Sequence, residues 1–382
     1  MQLFDLKDHS LQEMEGLIES LGEKPYRAHQ VYEWVFQKDV SDIGEMTNLS
    51  LNLREQLSKS AYISRLSIAD KRVSKDGTIK YLFILPPLYP PLLKGGSWGV
   101  LEDGNSIESV LIPDEDRLTL CVSVQVGCKL NCAFCLTGKG GFVRDLSRSE
   151  IIEQILSVQR DIKKSLIRQD IQDKIYSKTN PVNPVKEEIT NVVLMGMGEP
   201  LDNYENAVKS IKTMISPHGL KLPARRITLS TSGLIPEIKK LAKENLKINL
   251  AISLNASDNK TRDKIMPVNK KYPIEELLKV LKEYPLPTGR RITFEYVMMK
   301  GLNDSIEDAK RLSNILKNIK CKINLIPFNS FEGSDYETPE YKNVEEFQNL
   351  LISRHYTAII RKSKGADIYA ACGQLRGKRL EG

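Results

Sequence analysis

Between residues 118 and 327 the hydrophobic positions come in two alternating textures. Short, nearly continuous apolar runs at 118–126, 191–196, 226–230, 247–253, 291–299 and 322–327 read as strands. Between them apolar residues return every three or four positions, at 207–215, 238–241, 274–281 and 309–316, which predicts helices with one buried face. One such helix opens at Ser147 with Glu150 three residues on, a capping-box pair, and continues through Ile151, Ile152, Ile155 and Leu156. Strands apolar on both faces, alternating with helices, predict a parallel sheet. Six such units predict an α/β fold built as a partial (β/α)6, TIM-like barrel across 113–350.

The flanks have other textures. In residues 1–66 the helical spacing of Leu11, Met14, Leu17, Ile18 and Leu21, then of Val31, Trp34 and Val35, then of Leu51, Leu53 and Leu57, predicts a small N-terminal helical domain. Residues 67–112 alternate as β structure and form an extension. It is interrupted at 86–99 by two Pro-Pro-Leu repeats and a glycine cluster, which cannot be central strand because proline withholds its N–H. The polar stretch 163–188 predicts a surface excursion, and 351–382 a C-terminal segment.

Composition narrows the class. The net charge is +7, but residues 1–66 carry seven basic and eleven acidic side chains, so the rest of the chain is +11. A basic body suits a phosphate-rich partner. No apolar stretch reaches the length of a membrane span, and the first residues do not have the pattern of a signal peptide, so a cytoplasmic protein with no membrane partner is expected.

The six cysteines do not read as a disulfide framework. Three of them, Cys128, Cys132 and Cys135, form C-x3-C-x2-C in one loop directly after the first predicted barrel strand. A closed zinc site wants four ligands, and none of the four histidines lies near this loop, although a distant fourth ligand would complete one. Three thiolates suit a [4Fe–4S] cluster with one open iron, and hence radical chemistry on S-adenosylmethionine (SAM).

Barrel enzymes keep their chemistry at the carboxyl ends of the strands. There this sequence places Gly198 and Glu199, then Ser230, then Ser253, Leu254 and Asn255, then Asn329. A carboxylate suits the SAM amino group, glycine lets backbone approach, and hydroxyls and amides suit its ribose and carboxylate. Cys121 lies seven residues before the cluster loop. Cys372 lies in Ala-Ala-Cys-Gly-Gln-Leu, with Arg361, Lys362, Lys364, Arg376 and Lys378 around it, a setting expected to lower a thiol pKa. Cys321 reads as an ordinary buried thiol.

Taken together, Gly-Cys-Lys-Leu-Asn-Cys-Ala-Phe-Cys, Met-Gly-Met-Gly-Glu-Pro, Leu-Ser-Thr-Ser-Gly, Ala-Ile-Ser-Leu-Asn-Ala, Asn-Leu-Ile-Pro-Phe-Asn and Ala-Ala-Cys-Gly-Gln-Leu resemble the bacterial radical SAM RNA adenine C2-methyltransferases of the RlmN/Cfr family. The motifs run in family order from about Gly22 to Arg376. The resemblance implies a radical SAM core with Cys128, Cys132 and Cys135 on the cluster. It implies SAM contacts at Gly198, Glu199, Ser230, Ser253, Leu254, Asn255 and Asn329. Asn255 stands where many members carry His. Cys372 would be the methyl carrier, passing through S-methylcysteine, Cys121 its resolving partner and Glu108 the proton acceptor.

The family chemistry so implied uses two SAM molecules per methyl. One methylates Cys372. The second, reduced at the cluster, yields a 5′-deoxyadenosyl radical that takes hydrogen from the S-methyl group. The resulting carbon radical adds to adenine C2, and Cys121 releases the product by forming a disulfide with Cys372. Substrates would be an adenosine of 23S rRNA and the adenosine beside the anticodon of tRNA. The electron donor would be a flavodoxin or ferredoxin system and the enzyme a monomer. The C8-specific branch of the family is the alternative, and it carries Cys where this chain has Val126.

Overall fold

The computed structural model of the chain describes residues 3–85, 104–115, 117–175 and 188–377. The Pro-Pro-Leu insertion lies outside them. A two-residue strand β1 (Phe4–Asp5) pairs in parallel with β2 (Ala61–Tyr62) and closes the N-terminal helical unit. That unit holds helices α1 (Leu11–Ser20), α2 (Tyr26–Phe36) and α3 (Leu51–Ser60). The first is opened by a reciprocal capping box, in which Glu13 N–H donates to Ser10 Oγ and Ser10 N–H donates to the Glu13 carboxylate.

The predicted α/β architecture is present. One ten-stranded sheet holds β3 (Ser67–Val73), β4 (Ile79–Ile84), β5 (Ser106–Asp114) and β6 (Arg117–Cys121), antiparallel to one another in turn. From β6 it continues in parallel. Strands β7 (Gln125–Gly127) and β8 (Phe142–Asp145) form a separate antiparallel ribbon. The large sheet resumes with β9 (Asn191–Leu194), β10 (Ile227–Thr231), β11 (Asn249–Ser253), β12 (Ile292–Met298), β13 (Cys321–Pro327) and β14 (Ala358–Ile360). Spatial order follows chain order, as successive strand–helix crossovers require. The pairings place β14 at one edge and β3 at the other, so the sheet is an open barrel. Val192, Leu194, Ile227, Leu229 and Phe294 are fully or almost fully buried, which explains the continuous apolar runs of the strands.

Three expectations need correction. The strand expected over 118–126 stops at Cys121. The backbone then turns, with Val124 and Gln125 N–H both donating to the Met197 carbonyl, and Gln125 starts the ribbon instead. Much of the excursion expected at 163–188 is helix: α4 (Leu136–Lys139) is followed by α5 (Arg148–Ile175), a helix of 28 residues that runs thirteen residues into it. Its capping box is as predicted, Ser147 with Glu150. Finally, β14 went unrecognised in the C-terminal segment.

A single hydrophobic cluster runs from Leu6 through the barrel strands to Leu375, so the N-terminal helices share the barrel's core. Buried polar groups sew the seam. Lys7 pairs with Glu153, Tyr32 bonds Thr213, and Arg148 reaches both Tyr32 and Thr213. A second cluster, including Cys132, Met266, Phe328 and Phe331, supports the cysteine loop from below.

Candidate active site

At the carboxyl ends of the parallel strands lies a cavity of about 200 Å³. It is lined by Cys128, Cys132 and Cys135 from the loop after the ribbon strand β7, and by Cys121, the last residue of β6. Cys372 and Gly373 enter from the C-terminal segment. Gly198, Glu199, Ser230, Ser253, Asn255 and Asn329 also line it. Two sequence-predicted residues do not. Leu254 is fully buried, with its N–H on the Glu295 carbonyl and its own carbonyl on Arg262 Nε. Glu108 is 1 % exposed and lies behind the C-terminal segment, paired with Lys80 at 3.0 Å.

The loop is shaped for close approach. Gly127 has φ +77, and a Cβ there would stand 1.9 Å from the Gly141 carbonyl oxygen. That carbonyl receives Cys128 N–H at 2.8 Å, which fixes the first cysteine to the ribbon. Gly198 has φ +98, and a Cβ would meet the Gln125 side chain at 2.5 Å.

The three thiols form one electrostatic group. Burial pushes Cys128 up to about 12, with Glu199 and Cys135 adding to it. Burial also raises Cys132 well above the ordinary thiol range, with Cys135 and Cys128 adding to it and Arg262 opposing. No three His, Cys, Asp or Glu side chains among the described residues are placed to share one metal ion. A cluster that takes its thiolates on different irons fits such a spread donor set better than a lone zinc does, and three thiolates leave one iron open. The thiol protons would leave as iron binds.

Glu199 is 3 % exposed and has no described Lys, Arg or His as an ion-pair partner. Burial raises its pKa, while N–H groups of Ser232 (2.8 Å) and Leu201 (3.1 Å) hold its two oxygens. A buried carboxylate fixed in this way wants a cation, and the amino group of SAM would supply one. Asn255 adopts φ +59, which asparagine tolerates, and its Oδ1 accepts Val297 N–H at 2.9 Å. Asn329 Nδ2 donates to the Cys372 carbonyl at 3.3 Å.

The expected lowering of the Cys372 pKa is reversed. The residue is exposed at the surface, yet its sulfur is enclosed, and that enclosure pushes the thiol up to about 11; Glu295 adds to it and Arg361 pulls the other way, while Lys378 lies outside the described residues. Cys121 is raised well above the ordinary thiol range, by burial and then by the charge of Cys372. The Cys372 sulfur, 251 positions away in the chain, therefore lies near enough to act on Cys121.

Sequence reasoning missed two groups. Glu295 on β12 lines the cavity, with its carboxyl raised by burial and held by Asn324 at 2.9 Å. An acid inside the apolar run 292–298 was its only signal. Arg262, fully buried, donates to the carbonyls of Ser232 (2.7 Å), Ser253 (3.1 Å) and Leu254 (2.9 Å), gathering two strand ends beneath the cluster loop. Nothing in its sequence surroundings marked it.

An open parallel barrel carrying three cysteines after its first parallel strand defines a radical SAM enzyme. The radical SAM superfamily model matches residues 122–312. A crystal structure of a radical SAM methyltransferase from Sphaerobacter thermophilus superposes with TM-score 0.81 at 36% identity, covering 98% of this chain and 100% of that one. Residues 4–63 match the ribosomal RNA large subunit methyltransferase N-terminal domain. The dual-specificity RNA methyltransferase RlmN of Pelobacter propionicus is 46% identical over 98% of this chain and 96% of its own. That of Syntrophus aciditrophicus is 44% identical over 100% of this chain and 99% of its own. The chain belongs to the RlmN family of radical SAM RNA methyltransferases, whose cofactors are a [4Fe–4S] cluster and SAM.

Proposed function

We propose that the chain methylates C2 of an adenosine in 23S rRNA and of the adenosine beside the anticodon in tRNA, with Cys372 as methyl carrier and Cys121 as resolving thiol. The observation that supports this reading is the convergence of Cys121 and Cys372 on the cavity that holds the three cluster cysteines. A radical SAM enzyme that only activates another protein has no use for two extra thiols there.

Cluster and SAM together supply an electron and a carbon radical able to abstract hydrogen. The chain's residues do the rest. Glu199 anchors the SAM amino group, and Ser230, Ser253, Asn255 and Asn329 form the wall around the nucleoside. Cys372 must lose its proton before it can take a methyl cation from SAM, and at about 11 its thiol holds that proton at neutral pH. Glu295 lines the same cavity and acts on Cys372 through its charge, and in this reading it is the carboxylate that receives the proton. After the methylene carbon has bonded to adenine, Cys121 as thiolate attacks the Cys372 sulfur. An S–S bond forms and the carbon–sulfur bond breaks toward the base; the adduct's unpaired electron would return to the oxidised cluster, the C2 proton leaves, and a proton taken up by the freed carbon completes the methyl group. The resemblance assigns the C2 proton to Glu108, but Glu108 stands outside the cavity lining with both oxygens engaged by Lys80, Arg376 and Gly377, so in this closed arrangement it does not meet the base.

The target base must leave its stack to reach a buried cavity. The basic body of the chain would hold the RNA by its phosphates.

Anaerobic incubation with SAM, a one-electron reductant and unmodified RNA, followed by mass spectrometry of the nucleosides, tests the reading. 2-Methyladenosine is expected. 8-Methyladenosine would move the chain to the C8-specific chemistry. No methyladenosine from cluster-replete protein would reject the proposal.

A further inference from the structure

The segment that carries Cys372 is held from behind by one buried ion pair. Lys80, on β4, and Glu108, on β5 two positions from the residue opposite Lys80, are 5 % and 1 % exposed. Lys80 Nζ meets Glu108 Oε1 at 3.0 Å and donates to the Tyr369 carbonyl at 3.2 Å. Glu108 Oε2 accepts the N–H groups of Arg376 (2.8 Å) and Gly377 (3.2 Å). The pair therefore grips the segment three residues before Cys372 and again four and five residues after it.

On its other side the segment rests on the cluster loop. Leu136 N–H donates to the Gly373 carbonyl at 2.8 Å, and Thr137 Oγ1 to the Leu375 carbonyl at 2.6 Å. A Cβ on Gly373 would lie 3.0 Å from the Phe134 carbonyl oxygen, and one on Gly377 2.5 Å from the Ser106 carbonyl oxygen.

We infer that Lys80 and Glu108 are positioning residues: they clamp the 369–377 strap so that the Cys372 sulfur faces the cluster cavity. The ion pair spans two antiparallel strands, of which β5 also lends Val110 and Ile112 to the cavity wall, so the three-stranded extension works as a docking plate that ties the strap to the site. A buried pair of this kind is weak evidence for net stability, but removing one partner leaves the other charged and unmatched. Each oxygen of Glu108 is already engaged, and the carboxylate acts on Cys372 through the strap backbone. The inference rests on Cys372 working in this cavity.

The test compares Lys80→Met, Glu108→Gln and the double variant, each purified with its cluster under anaerobic conditions. The rate at which a bulky maleimide alkylates Cys372 is read by peptide mass spectrometry, with buried Cys321 as the internal reference. RNA methylation and iron per chain are measured in parallel. A clamp predicts faster alkylation of Cys372, already an exposed residue in the clamped strap, in each single variant than in wild type and no greater gain in the double, because either change opens the same clamp. Iron content should stay at the wild-type level and methylation should fall in all three. The double variant removes both charges, so it keeps the test alive where a single variant with one unmatched buried charge does not fold. Unchanged Cys372 alkylation in the double variant overturns the inference. So does loss of methylation in Glu108→Gln alone with Lys80→Met like wild type, the pattern of a proton acceptor. Alkylation reports where the sulfur is without any turnover. A failed methylation assay with the expected alkylation pattern would count against the reaction proposed above and leave the clamp standing.

Discussion

Gly127→Ala is a sharp test of how the cluster loop is built. The new Cβ would sit 1.9 Å from the Gly141 carbonyl oxygen and 3.1 Å from the Phe142 Cα. To restore an ordinary contact, the β7–β8 ribbon must open by roughly 1.5 Å, a shift that backbone on both sides resists. Alanine at φ +77 adds about 1–2 kcal/mol of conformational strain. Opening the ribbon also breaks the Cys128 N–H bond to Gly141, worth about 1–3 kcal/mol where the groups stay buried. The sum, roughly 2–5 kcal/mol, falls on a short ribbon outside the ten-stranded sheet. The fold should survive while the loop loses its shape. The far-ultraviolet circular dichroism should match wild type, and iron and acid-labile sulfide per chain after anaerobic reconstitution at limiting iron should fall more than about tenfold. Gly141→Ala is the control: it has the same φ of +77 but open space around it, so it carries the strain alone. Full iron occupancy in Gly127→Ala would refute the argument, because it would mean the close approach does not hold the first cysteine in place.

Further outcomes follow from the same geometry. Cys372→Ala and Cys121→Ala should each abolish RNA methylation, with iron content unchanged, since neither is among the cluster cysteines; methylation surviving in either would remove it from the proposed carrier pair. Glu199→Gln should weaken SAM binding about 10- to 100-fold by calorimetry on the cluster-loaded protein, the loss of a charge-assisted contact in a buried site, and unchanged affinity would show that the amino group binds elsewhere. Asp5 has its pKa raised to about 6 by burial and the nearby Asp8. Its folded pKa exceeds the unfolded value, so the stability it lends is complete below about pH 4 and is lost as pH rises through 6. Asp5→Asn keeps an acceptor oxygen for the Lys7 and Ser64 N–H groups, and it should raise the Tm at pH 7.5 but not at pH 4. An equal shift at both values would mean that the carboxylate charge is not the cause.

The barrel was legible in the sequence because parallel strands covered on both faces must be apolar throughout, and their helices must not be. The rim was legible because polar residues can follow such strands only where the strands end. What escaped notice depends on partners far apart in the chain. Val122 and Val124 read as more strand, yet the carbonyl of Met197 turns the backbone there. Glu295 hides in an apolar run because the cavity it faces is made by other strands. The basic residues near Cys372 in sequence implied an acidic thiol, but enclosure of the sulfur outweighs the charge of Arg361. The partnership of Lys80 with Glu108 comes from strand register, Leu82 opposite Glu108 and Lys80 opposite Val110, which no local pattern reveals.

Gly373 resting on the Phe134 carbonyl makes the strap the roof over the metal pocket. Iron and sulfide are bulky cargo, and a roof bonded to Leu136 and Thr137 narrows the way to loop cysteines of which Cys128 and Cys135 stay partly exposed. Maturation should therefore run in order, metal first and lid second. Apoprotein whose strap has already closed should load iron slowly, and a protein cut back ahead of residue 369 should load it fast while delivering no methyl group.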